Sequence, residues 1–127
     1  MTAVLVAAFL LLHALLHPGV WTAPQQPAGT PAAFVPGHSW ALSAARVPPA
    51  TAGSVALAIA WYTAVVYGIA GAGVLAETGW WPTAALVGAS MGLLLKVIWF
   101  HPWLTVGALL DIGVIIAVVC AWPASLY

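Results

Sequence analysis

The stretch Leu93–Ile116, LLLKVIWFHPWLTVGALLDIGVII, decides the fold. It holds one of the two basic residues, Lys96, and one of the two acidic residues, Asp111. Each sits inside an apolar run, on either side of a Phe100-His101-Pro102-Trp103 corner. The stretch reads as part of a transmembrane helical hairpin, with Pro102 in the first turn of its second arm. A charge at mid-bilayer costs about 2.5–3.5 kcal/mol on insertion scales, so Asp111 must face the bundle, pair, or be protonated. Counting from the corner at about 1.5 Å per residue, Lys96 lies about 7 Å deep and Asp111 about 12 Å. A lysine side chain spans that difference, so the two are expected to form a buried pair.

Composition says the same of the whole chain. Of 127 residues, 65% are hydrophobic and 3% charged, whereas a soluble domain carries about 25% charged residues. Four Asp, Glu, Lys and Arg residues cannot give this chain a water-compatible surface, so lipid is the expected solvent. A net charge of zero gives no electrostatic reason to expect a nucleic-acid partner. A single cysteine, Cys120, excludes an intramolecular disulfide and a cysteine-rich zinc site.

The expected fold class is all-α: a single membrane domain, residues 1–127, built as an antiparallel bundle of four transmembrane helices. The helices are expected over about 2–17, 53–75, 83–100 and 103–122, with a proline-rich loop over 18–52. Pro18 and Gly19 are expected to end the first helix. That helix is expected to be retained, because it lacks the basic n-region of a signal peptide and carries two histidines. Pro24, Pro27, Pro31, Pro36, Pro48 and Pro49 forbid a long helix in the loop, though a short turn is expected over Trp40 to Arg46. In the second helix Ala56, Ala60, Ala64, Gly68 and Ala72 recur every fourth residue, and in the third Ala84, Gly88 and Gly92 do the same. Such rows let helices approach closely, so Ala60, Ala64, Gly68, Gly88 and Gly92 are expected packing residues. Lys96 continues the second row and should point at the packed face. Trp61, Tyr62 and Tyr67 fall off the first row.

With both termini on one side of the bilayer, His13, His17, His38, Arg46, Lys96, His101 and Asp111 gather toward the opposite side. Asp111, Lys96, His13, His17 and His101 are therefore the candidate ligand or proton-site residues. His13 and His17 are four apart, on one helical face. They could supply two metal ligands, with a third drawn from His38, His101 or Asp111. The bland reading is that both rings satisfy carbonyls near a helix end, that His101 bonds backbone at its corner, and that Lys96–Asp111 only fixes helix register. HxxxH lacks the glutamate of a metalloprotease signature. No serine has a neighbouring base, so no nucleophile arrangement is legible.

His13 and His17, Gly37-His38-Ser39-Trp40, Trp61, Trp80-Trp81, and His101-Pro102-Trp103-Leu104 with Gly107 and Asp111 together resemble a group of small bacterial four-helix integral membrane proteins. The resemblance spans nearly the whole chain and implies a four-helix fold. It implies no particular activity.

The expected function is a non-enzymatic membrane protein, a small-ligand binder or accessory subunit with a polar His/Lys/Asp cluster in one half of the bundle. The alternatives are a small proton-linked transporter using Asp111, and a His-based metal or haem enzyme. No cofactor is required by the sequence; metal and haem are the candidates. The expected partners are the bilayer and a homo-oligomer or larger membrane complex. The expected location is the plasma membrane, with cytoplasmic termini.

Overall fold

The computed structural model describes residues 1–22 and 34–127. The expectation for Pro24, Pro27 and Pro31 falls on residues 23–33, outside the described residues. All regular structure in the described residues is helical: α1 (Thr2–Trp21), α2 (Trp40–Ala44), α3 (Pro49–Leu75), α4 (Trp81–Ile98) and α5 (Thr105–Val119), with a 3-10 turn over Pro102–Leu104 leading into α5 and another over Ala124–Leu126. Among the described residues, four segments are long and apolar enough to cross a membrane: α1, α3, α4 and Pro102–Val119, with mean hydropathies of 2.1, 1.7, 1.5 and 2.1. Their outer faces expose large apolar side chains, among them Leu12, Leu15, Val65, Val106, Leu109 and Ile116.

Several helix ends differ from the sequence expectation. Pro18 and Gly19 lie inside α1. Proline has no N–H to give to the Ala14 carbonyl, so this last turn needs support from elsewhere. The last turn is closed by Thr22, whose backbone N and Oγ1 both donate to the Pro18 carbonyl at 2.9 and 2.7 Å. It also buries Trp21, packed edge-to-face against Trp99 and Phe34 at 5.7 and 4.8 Å. At the other end of the loop, α3 starts at Pro49 rather than residue 53, with proline in its first turn. α4 covers 81–98 and α5 105–119, each shorter than or shifted from the expected 83–100 and 103–122.

α1 packs on α3, α3 on α4, and α4 on α5, while α1 and α5 make no extended backbone contact. The segment around α2 caps α4. A helix leaves its last carbonyls without intrahelical donors. Here Ser39 Oγ donates to Ile98 O and Trp40 Nε1 to Val97 O, both at 2.7 Å. Trp99 Nε1 returns a bond to Pro36 O at 2.7 Å. Ser39 is consequently buried, although it lies in the stretch expected to be a proline-rich loop.

The small-residue row of α3 is only partly a packing face. Ala56 and Ala60 are buried, but the buried face then runs through Thr63, Tyr67, Ala70 and Val74. Steps of three and four alternate because the helix repeats every 3.6 residues, so a strict four-residue row winds off the face. Ala64 is half-buried, and an added Cβ on Gly68 would meet nothing within 4 Å. Gly68 is therefore not a contact residue. Gly88 and Gly92 are: a Cβ at Gly88 would lie 3.2 Å from the Tyr67 ring.

Candidate functional site

Asp111 is the centre of the core, with 0% of its surface exposed. Lys96 Nζ donates to Asp111 Oδ2 at 2.6 Å, so the pair expected from the hairpin is formed. Asp111 Oδ1 accepts from the Tyr67 hydroxyl at 2.8 Å and lies 2.8 Å from His13 Nε2. One residue from each of α1, α3 and α4 thus converges on a carboxylate of α5. An ionised carboxylate only accepts, so His13 carries its proton on Nε2.

His17 completes the cluster. Its Nδ1 lies 3.0 Å from the His13 carbonyl, which can only accept, so His17 is protonated there and its Nε2 is a lone pair. That lone pair lies 3.0 Å from Lys96 Nζ, and the third Lys96 N–H donates to Gly92 O at 3.3 Å. His17 Nδ1 does bond a carbonyl, but one inside α1, which runs on to Trp21, rather than a free carbonyl at a helix end. The remaining hydrogen bonds of the two rings are made to other helices. Two glycines make the room. A Cβ at Gly92 would lie 2.7 Å from both Asp111 Oδ2 and His17 Nε2, and one at Gly107 would lie 2.6 Å from Lys96 Cε. The lysine stem crosses α5 over Gly107, and the charge pair sits against bare backbone of α4.

One polar atom of the cluster is left over. His13 Nδ1 is buried with no hydrogen-bond partner among the described residues. Its ring stacks on Phe9 and meets Tyr67 and His17 edge-on.

Of the sequence candidates, the fold brings together His13, His17, Lys96 and Asp111. His101 stays at its corner, with Nδ1 accepting from Trp103 N at 3.2 Å and its ring edge-on to Phe34. His38 is exposed. Tyr67 is the member that the four-residue row missed. Continuing Ala56 and Ala60 by alternating steps of three and four would have placed it on the inner face.

His13, His17 and Asp111 bring three ligand atoms within 4.8 Å of one another, a donor set suited to a transition metal such as zinc. Lys96 Nζ already lies between His17 Nε2 and Asp111 Oδ2, so a metal there would displace the ammonium.

Because α1 and α5 are not packed along their length, cavities open between them. One, of about 200 Å³, is lined by His13, His17 and Lys96 together with apolar residues including Trp103, Leu104 and Leu110. A second, of about 400 Å³, continues toward the other end of the seam past Phe9, Leu110, Val114 and Trp122. Leu110 lines both. The polar cluster thus forms part of the wall of an otherwise apolar cleft. No family model, curated protein or solved structure matches this chain.

Proposed function

We propose that this chain is a multi-pass protein of the plasma membrane. In this reading its four long helices cross the bilayer as an antiparallel bundle with cytoplasmic termini, and it acts as a small-ligand-binding or accessory subunit. The hydropathy of the four segments and their exposed apolar faces support the membrane setting. The ligand reading is carried by one observation: His13, His17 and Lys96 line a cavity whose other walls are apolar. Binding sites combine apolar walls with a few convergent polar groups in this way. The test is native mass spectrometry of the protein released from lipid nanodiscs, beside Leu110→Trp, which fills the seam. The reading expects a small-molecule adduct on the wild type that Leu110→Trp removes. An adduct-free wild type that also binds no apolar probe would overturn it.

A metal is the second reading, favoured by the His13, His17 and Asp111 donor set. It expects cobalt(II) to give visible absorption that strengthens in Lys96→Met, where the competing ammonium is gone. A proton-carrier role for Asp111 has less support, since the carboxylate is fully buried and already accepts from three side chains.

A further inference from the structure

The hydrogen-bond inventory of the cluster restricts the ligand chemistry. Lys96 uses its three N–H bonds on Asp111, His17 and Gly92. His17 uses both ring nitrogens, and the Tyr67 hydroxyl hydrogen and His13 Nε2–H are given to Asp111. Every donor is committed. A ligand offering a carbonyl or an anion would have to break one of these bonds to be recognised. His13 Nδ1 is the reverse: in the neutral ring it is a lone pair, on a residue only 3% exposed, with no partner among the described residues. Asp111 holds the tautomer by accepting at Nε2, as a carboxylate does when it presents the far nitrogen of an imidazole as an acceptor or base. An unpaired buried acceptor is costly to maintain; this one belongs to a residue that lines the α1/α5 cavity, and because the nitrogen itself is closed off, a donor reaches it only when a side chain against the ring, such as Phe9, gives way.

We propose that the ligand of this cleft is an apolar molecule bearing a hydroxyl donor, a phenol or hydroquinone in chemical class, whose O–H donates to His13 Nδ1 while its apolar body lies along the α1/α5 seam. The inference rests on the ligand-binding reading above and narrows it. The apolar walls accommodate the ring and chain: Leu16, Val20, Trp103 and Leu104 beside the cluster, then Leu110 and Val114 further along. Asp111 is a positioning residue for this contact, acting through the His13 ring.

The test compares 4-butylphenol with 4-butylanisole, its methyl ether, which keeps the shape and loses the donor. Both are titrated calorimetrically into the wild type in detergent. The phenol is expected to bind about tenfold more tightly, the effect of one buried hydrogen bond. His13→Gln keeps an amide N–H for Asp111 but removes the Nδ1 acceptor, and is expected to abolish the preference. Histidine 15N NMR of the wild type provides a readout independent of any variant. The His13 Nδ1 resonance should start as an unprotonated nitrogen and move with the phenol but not with the ether. Equal affinity for both probes, or an unmoved Nδ1 signal, means that water or nothing satisfies that nitrogen; the hydroxyl inference is then wrong while the cavity reading stands. Binding of neither probe overturns both.

Discussion

Removing the charges one at a time and together tests whether Asp111 is the centre of the fold. In Lys96→Met the carboxylate stays, fully buried, with only His13 and Tyr67 as donors. Breaking a buried pair by deleting one partner costs about 3–5 kcal/mol. Asp111→Leu should cost more. It strands the ammonium, which keeps only His17 Nε2 and Gly92 O, and it also orphans His13 Nε2–H and the Tyr67 hydroxyl. Each orphaned buried group adds about 1–3 kcal/mol, putting the total at about 5–11 kcal/mol. The double variant has no stranded charge, so it should be more stable than the sum of the single losses by about 3 kcal/mol or more. It should not return to wild type, because His13, His17 and Tyr67 still lack partners. Adding Tyr67→Phe to Asp111→Leu should then regain stability, although Tyr67→Phe alone should lose about 1–2 kcal/mol. Reversible unfolding in mixed micelles, followed by circular dichroism, measures all five. Additive losses for Lys96→Met and Asp111→Leu, or equal losses for the two, would show that the carboxylate does not organise its neighbours as described.

Glycine substitutions should separate contact from sequence pattern. Gly92→Ala places a Cβ 2.7 Å from Asp111 Oδ2 and His17 Nε2 and should destabilise by about 1–3 kcal/mol or more in the same assay. Gly68→Ala meets nothing and should be neutral or stabilising by about 0.5–1 kcal/mol. Trp99→Phe removes the Nε1–H bond to Pro36 O, so hydrogen exchange at the amides of Val35, Gly37 and His38 should speed up while that of α3 stays unchanged. The bilayer topology is open to cysteine labelling in a Cys120→Ala background: Ala44→Cys, on the exposed side of α2, should react with an impermeant reagent from the outer face only, and Val114→Cys from neither. Reactivity of position 44 from the cytoplasmic face alone would invert the orientation.

The helical class and the four apolar segments were legible in the sequence because hydropathy and length are local properties, summed over neighbouring residues. The Lys96–Asp111 pair was legible for a related reason. The two residues lie on either side of one corner, so depth alone brought them within reach of a lysine side chain. Tertiary structure decided what rotation along a helix decides. The phase of α3, which drifts by 3.6 rather than four residues per turn, put Tyr67 inside and Gly68 outside. It also decided the helix ends. Trp21 buried against Trp99 carries α1 past Pro18, an outcome that no local preference of proline or glycine encodes. Finally, it decided which histidines belong to the site. His13 and His17 reach Asp111 and Lys96 only because α1 packs on α3 while remaining apart from α5, so the imidazoles bridge a seam that backbone packing leaves open. His101 is ten residues from Asp111 in sequence and shares no bond with it, whereas His13 is 98 residues away and does.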